Sequence, residues 1–463
     1  MADFVRPRTL PGFQDFMPER QLARSGLIER VRKVYEGHGF SPLDTPALEY
    51  RNTLVGQGEV EKEIYLFEDS DGNEVGLRFD LTVPLARFCS QHRKKLAWPL
   101  RLYHVAPVWR EEKHKPGRFR EFVQFDADIV GEPEVWADVE LIAMIHETMR
   151  AIGMDDSLIK ISHRGILTAM IAKAGLAAET TFGVLRTLDK VERLGWETVR
   201  KLLSNRPGDM IEGIDAVPLG LPGTAVDVIE DFLSLESQTG DLPDRLMDFF
   251  SGVEQAEKGL ADLQAIFGAL PSMGVPQDAF ALDVSIARGL DYYTGPIFET
   301  VLKSAPQMGT LFGGGRYDEL IGRFGKQSMP ATGASIGVDR VLATMESLGL
   351  VDYKPSTAEV FVAVFDPALR NECGVIASEM RAAGINTVMY TGKRKLKHQF
   401  QHADDLGVKV VILLGSDEYE RGSVQVRSMS GEFSDQAVER KQVEVARGDL
   451  AAEVLRALGR SSG

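Results

Sequence analysis

Two short stretches carry side chains whose types and spacing suit chemistry. The first, DVSIARGLDYYTGPIFE at 283–299, puts Arg288, Asp291, Tyr292 and Tyr293 into one tight turn between glycines, flanked by apolar β-formers. Aromatic pairs usually fill a core, but here they accompany a guanidinium, whose planar fork suits a phosphate or carboxylate. The second, RLYHVAPVWREEKHKPGRFREFVQFDADIVG at 101–131, reads as two strand-like runs joined by a polar loop, EEKHKPG, with Pro116-Gly117 as the turn signal. Alternate residues of a strand point to opposite faces. In the second run the odd positions Val123, Phe125, Ala127 and Ile129 are apolar, and the even positions are Arg118, Arg120, Phe122, Gln124, Asp126 and Asp128. In the first run Arg110 and Glu112 share a face. The even face has two readings. It is either the wet side of a half-exposed antiparallel strand, or a cavity floor offering an aromatic platform, an amide and a carboxylate. Arg110 and Glu112 framing the loop like a phosphate-and-base clamp, and Phe122 interrupting a polar face, favour the cavity. The 283–299 stretch then supplies its second wall.

The elements that must position these groups follow from periodicity. Residues 19–37 place Leu22, Leu27, Ile28, Val31 and Val34 at helical spacing, with Gly37 as a stop. HGFSPLDTPALEY, punctuated by Pro42 and Pro46, reads as a margin or interface strand. From 77 to 130 strand patterns and turns dominate, and residues 138–152 read as an amphipathic helix begun by Asp138. Between about 165 and 260 the leucine-rich patterns are helical, and strand-and-turn chemistry resumes near 280, which marks a helical insertion. After a linker at 348–358, EVFVAVFD, INTVMY and VKVVILLG read as buried strands alternating with two helix-period segments closed by Gly384 and Gly407. That is a βαβαβ module with a parallel sheet.

At 463 residues the chain is long enough for two or three domains. Its two cysteines, Cys89 and Cys373, exclude a disulfide framework and a cysteine zinc site and suit a reducing compartment. The N-terminal residues show no apolar signal region and no 18-residue apolar run occurs, so no membrane segment is expected and the cytoplasm is. A net charge of −15 excludes a diffusely basic nucleic-acid binder, yet HRKK at 92–95, KHKPGRFR at 113–120 and KRKLKH at 393–398 leave room for a localised polyanion contact. The solvated face of a helix or loop is the plainer reading of such clusters. TGKR at 391 is not a Walker A sequence, GGGRYDELIGRFG is not a dinucleotide fingerprint, and no H-E-x-x-H, EF-hand or G-x-S-x-G occurs. If the chain uses ATP, it holds the phosphates by another device.

Taken together, the motifs resemble class II aminoacyl-tRNA synthetases and, within them, the histidyl-tRNA synthetases, over nearly the whole chain. GFSPLDTPALE, with Pro46, resembles the first class motif at the dimer interface. VWREE…RFREF resembles the second, and GASIGVDRV at 333–341, with Arg340, resembles the third. RGLDYYTGPIFE is the histidine-specific stretch, and LRFDLTVPLAR at 77–87 and GGGRYD at 313–318 agree with it. The DLTVP and REF forms are similar to the branch that includes eukaryotic enzymes; many bacterial members carry glutamate where this chain has Asp80 and Asp128.

The resemblance implies an α+β fold. An antiparallel sheet flanked by helices, six or seven strands in all, is built from 1–163 and 275–347 with a helical insertion at 164–274. Residues 348–358 link it to an α/β anticodon-binding domain at 359–463. The implied reaction joins L-histidine to ATP as histidyl-adenylate, with Mg²⁺ on the phosphates and no dedicated protein metal site, and then charges tRNA(His). Arg110, Arg288 and Arg340 are the implied catalytic residues. Arg110, Glu112, Phe122 and Arg340 would bind ATP, with Phe122 stacked on adenine. Asp80, Thr82 and Gln124 would take the histidine ammonium, and Asp128 and Tyr293, beside Tyr292, the imidazole. Lys113, Lys115 and Arg118 would approach the tRNA acceptor end, and a homodimer is implied. Asp291 gains no role beyond a turn contact. The rival readings are a synthetase-like regulatory subunit of ATP phosphoribosyltransferase, which generally lacks the C-terminal module, a class II synthetase for another amino acid, which lacks RGLDYYTG, and a non-catalytic RNA-binding module.

Overall fold

The computed structural model describes residues 5–460 apart from 57–62, 112–118, 189, 210, 212–213, 215, 236–241, 287–292, 326 and 430–441. The chain divides into two compact units, residues 1–15 with 26–350, and residues 16–25 with 351–463.

In the first unit the strands are β1 (Ser41–Pro42), β2 (Leu48–Tyr50), β3 (Leu66–Glu68), β4 (Glu74–Leu77), β5 (Leu100–Trp109), β6 (Glu121–Val130), β7 (Ser157–His163), β8 (Phe280–Leu282), β9 (Pro296–Leu302), β10 (Phe312–Arg316) and β11 (Ala331–Gly337). Eight of them form one sheet in the order β1-β5-β6-β11-β10-β9-β7-β8, and β2-β4-β3 form a small separate sheet. The six central strands pair antiparallel, whereas the edges β1 and β8 pair parallel to β5 and β7. The six antiparallel strands match the six or seven expected, and the two parallel edge strands add to them. The edge strands are two and three residues long, too short to show a period-2 pattern, and each is separated from its neighbour by the long crossover that parallel pairing requires.

Strand β6 is covered on both faces, so the reading of a half-exposed strand does not hold. Its odd face meets the helix Pro18–Gly37, which buries Leu27, Val31, Val34 and Tyr35 as one stripe. The Tyr35 ring packs edge-on to Phe125 at 4.8 Å and also meets Tyr103. Truncating a ring so enclosed, as in Phe125→Ala, costs about 3–5 kcal/mol.

Two helices depart from expectation. Thr82–His92 lies in a region read as strands and turns. Its Thr-Val-Pro start looks β-like, but Pro84 falls in the first turn, where backbone N–H groups have no helical partner. Asp80 accepts a hydrogen bond from the Val83 N–H at 3.1 Å, and Val83, Leu85, Ala86 and Cys89 are buried. The helix Trp136–Ala151 is not begun by Asp138: Val135 occupies the N-cap without a side-chain bond. Asp138 is instead wholly buried, accepting from Arg316 Nε at 3.0 Å and Nη2 at 2.5 Å, and from Thr332 Oγ1 at 2.7 Å. Arg316 also donates to Glu132 O and Glu134 O, so the pair is fully bonded. An acid in a first turn serves equally as a cap or as a buried partner, and the sequence pattern is the same for both.

Between β7 and β8 runs a series of helices that includes Arg164–Lys173, Trp196–Ser204, Gly223–Ser234 and Glu257–Ala269. In the second unit β12 (Val360–Ala363), β13 (Thr387–Met389), β14 (Val410–Leu413), β15 (Ser423–Ser428) and β16 (Gln442–Ala446) form a sheet ordered β13-β12-β14-β15-β16. The first three are parallel, joined through the helices Arg370–Ala382 and Leu396–Asp405, and two antiparallel strands complete the sheet. Val360 and Val362 pack on one side with Cys373 and Ile376, and Phe361 and Ala363 on the other with Ala403. That two-sided burial is why these strands read as unbroken apolar runs.

Candidate active site

A cavity of about 230 Å³ opens on the even face of β6. Gln124, Asp126 and Asp128 form its floor, Asp80 and Thr82 approach from the start of the helix Thr82–His92, Arg110 from the end of β5, and Tyr293 and Tyr317 from around β9 and β10. The three floor residues are 8%, 2% and 5% exposed, which settles the parity argument for a covered polar face.

Glycines make room for this arrangement. Gly333 stands directly opposite Asp128 on β11, and a Cβ there would lie 1.9 Å from Asp128 Oδ1. A Cβ at Gly315 would meet Pro296 O at 2.6 Å and the Tyr293 ring at 3.0 Å. The glycine-rich stretches 313–315 and 333–337 thus let the Asp128 and Tyr293 side chains reach the cavity. The Tyr317 hydroxyl donates to Asp128 Oδ1 and holds that carboxylate in the cavity lining.

Three carboxyls crowd the cavity, and burial raises all of them. Burial pushes the Asp80 carboxyl up to about 6 against the pull of the Val83 N–H and Arg110. Burial raises Asp128 to about 7, the Tyr317 bond opposes the rise, and Asp80 adds to it. Asp126 lies well above its ordinary value, through burial first and Asp128 second. Crowded, desolvated carboxyls hold protons until a positive ligand supplies the missing charge. Among the described residues no group of three His, Cys, Asp or Glu side chains is placed to hold a metal ion.

Arg110 donates from Nε to Phe79 O at 3.0 Å, and its guanidinium sits 5.2 Å from the centre of the Phe122 ring. Phe122 packs on Leu81, Ala106 and Val108 and does not line the cavity. Arg340 does not line it either: on the helix Val338–Ser347, it donates to Thr310 O at 2.9 Å. That helix is tied to β6 by Asp339, which accepts from the Val123 N–H at 2.8 Å. The structure therefore brings together Asp80, Thr82, Arg110, Gln124, Asp128 and Tyr293. Glu112, Lys113, Lys115, Arg118, Arg288, Asp291 and Tyr292 lie outside the described residues. Sequence reasoning assigned no role to Asp126, Tyr317 or Ser335. Parity had placed Asp126 on the correct face, and the run of glycines before Arg316-Tyr317 was the available sign that a bulky side chain crosses nearby.

An open antiparallel sheet with an arginine-edged cavity on its central strands, followed by a separate α/β unit, defines the class II aminoacyl-tRNA synthetase plan. Residues 12–341 match the histidyl-tRNA synthetase family, and residues 359–457 match the anticodon binding domain. The chain is 43% identical over 428 residues to the histidine–tRNA ligase of Rhodopirellula baltica, spanning 92% of this chain and 94% of that one. It is 37% identical over 434 residues to that of Wolinella succinogenes, spanning 92% and 94%. The crystal structure of histidyl-tRNA synthetase from Nostoc sp. PCC 7120 superposes with a TM-score of 0.84 at 30% identity, covering 98% of this chain and all of the other. The chain belongs to the histidyl-tRNA synthetase family. The match at 359–457 does not favour the regulatory-subunit reading.

Proposed function

We propose that this chain is a histidine–tRNA ligase. A carboxylate oxygen of L-histidine attacks the α-phosphorus of ATP, the bond to pyrophosphate breaks, and histidyl-adenylate forms. A hydroxyl of the 3'-terminal adenosine of tRNA(His) then attacks the activated carbonyl and AMP leaves. The observation that carries this reading is one cavity lined by Asp80, Thr82 and Gln124 together with Tyr293 and an Asp128 held by Tyr317. The first three suit an ammonium, and Asp128 with Tyr293 an imidazole N–H. A buried acceptor left unpaired by an apolar side chain is how such a site rejects isosteres, by as much as about 10⁴-fold.

In this reading Arg110 and Arg288 flank the α-phosphate, Arg340 meets the far end of the triphosphate, and Glu112 and Phe122 take the adenine. Positioning and charge compensation supply most of the catalysis of such a displacement. Mg²⁺ accompanies the phosphates of ATP. Residues 164–274 are read as an insertion into a catalytic core of 1–163 and 275–347, with 348–358 as the linker. The unit at 359–463 would grip the anticodon arm, its 393–398 cluster touching phosphates, while Lys113, Lys115 and Arg118 meet the acceptor end. The exposed apolar residues Leu48, Tyr50 and Phe67 on the β2-β4-β3 sheet support a homodimer through that sheet. Because the product feeds translation, and because Cys89 and Cys373 are both free and buried, the cytoplasm is the proposed compartment. Among the described residues no helix is long and apolar enough to cross a membrane. The test is ATP-dependent attachment of labelled histidine to unfractionated tRNA. Acid-stable attachment to protein alone, or none at all, contradicts the proposal.

A further inference from the structure

Asp126 lies between Gln124 and Asp128 on the floor of the cavity and has no part in the reading above. It is held from one side. Ser335, directly opposite on β11, hydrogen-bonds Asp126, and Ser335 Oγ accepts from Gln124 Nε2 at 2.6 Å. Gln124 Nε2 also points to Asp126 Oδ1 at 3.5 Å, the limit of such a contact. With its nitrogen so committed, Gln124 turns Oε1 elsewhere. Gln124 Oε1 and Asp126 Oδ2 are both buried acceptors with no hydrogen-bond partner among the described residues. Leaving one such acceptor unpaired costs about 1–3 kcal/mol, and two on adjacent even positions of one cavity floor ask for a ligand with several donors. An ammonium has three donors and no acceptor.

We infer that Asp126 is a substrate contact that sets specificity for the α-ammonium group. Its Oδ2 and Gln124 Oε1 accept two of the three ammonium N–H groups, and Ser335 is the positioning residue that aims both side chains. The inference rests on the histidine-ligase reading, in which Gln124 takes the ammonium. The groups around Asp126 agree with it. Asp128 on its own strand and Asp80 beyond the floor disfavour its negative charge, and Arg110 is the cation that partly offsets them. His104, its partner on β5, is turned to Asp44 at 3.1 Å, and burial followed by Arg78 lowers its pKa, so it adds no charge near neutrality. Tyr35, beneath the sheet, stays a neutral phenol because burial raises it well above its ordinary value. A cationic ligand is therefore the missing element.

The test compares binding of L-histidine, L-histidinol, which keeps the ammonium, and imidazolepropionate, which lacks it, to the full chain by calorimetry. Asp126→Asn is isosteric and keeps a bond to Ser335. It should weaken L-histidine and L-histidinol by about 10- to 100-fold, the loss of one charge-assisted bond, and imidazolepropionate by less than about threefold. Ser335→Ala should show the same discrimination at smaller size and carries the test if Asp126→Asn does not fold. Equal weakening of all three ligands, or none, overturns the assignment. Wild-type protein that binds no L-histidine overturns instead the function on which the assignment rests.

Discussion

Gly333→Ala probes whether the placement of Asp128 is what reads the imidazole. The added Cβ would stand 1.9 Å from Asp128 Oδ1 and 2.9 Å from its Cγ, so the carboxylate must retreat by about 1 Å to reach even a tight 3.0 Å contact. The strand cannot yield instead without cost, because Gly333 is paired on both sides, to Asp128 and to Gly315. A retreat of that size breaks the Tyr317 bond and withdraws the acceptor from the imidazole N–H. Losing one hydrogen bond to a charged group is worth about 1.5–3 kcal/mol, or about a 10- to 150-fold rise in the KM for histidine. The KM for ATP should change less than about threefold. Strain of about 1–3 kcal/mol should also lower the melting temperature. The assay is histidine-dependent ATP–pyrophosphate exchange, with each substrate varied in turn. In an Asp128→Ala background the same substitution should add no further histidine penalty, since the group it displaces is gone. An unchanged histidine KM in a folded variant, or a full penalty that persists without Asp128, would refute the reasoning.

Other outcomes follow from the same geometry. Asp138→Ala leaves the buried Arg316 guanidinium with only the more distant, partly exposed Asp318 at 3.5 Å and should cost about 3 kcal/mol in chemical denaturation; a loss below about 1 kcal/mol would mean that the pair is not a structural pin. Asp80 and Asp128 hold their protons up to about 6 and about 7 when folded, against about 4 when unfolded, so the folded chain binds more protons across that window. These carboxyls favour folding fully below about pH 4, and the contribution is lost as pH rises through about 6 and about 7. Ligand-free wild type should therefore lose ground in melting temperature to Asp128→Asn between about pH 5 and 8, and parallel curves would contradict this. Arg288→Ala should lose most exchange activity while keeping the wild-type melting temperature and light-scattering mass; retained activity would show that another group bears the phosphate charge.

How much of this was legible in the sequence depends on how local each signal is. The alternation over 122–130 was enough to put Gln124, Asp126 and Asp128 on one face, because pleat geometry leaves a strand no other choice, but whether that face was wet or covered stayed open. The apolar runs of β12 and β14 and the glycines closing the helices between the parallel strands were equally local: Gly384 and Gly407 sit at φ of 74° and 64°, which other residues reach only with strain. What escaped notice depends on partners far along the chain. Tyr317 meets Asp128 across 189 residues, and Arg316 meets Asp138 across 178. Nothing in GGGRYD by itself says which of its side chains turns inward. The helix Thr82–His92 was hidden because threonine, valine and proline, poor helix formers in an interior, are tolerated in a first turn. The role of Asp126 was hidden because its meaning lies in Ser335, a residue on a neighbouring strand.

The central claim is that one cavity activates histidine and nothing else. The most direct measurement is ATP–pyrophosphate exchange by the purified full-length chain, run separately with each of the twenty amino acids. The account predicts exchange with histidine alone. A flat profile, or a maximum with any other amino acid, would contradict it.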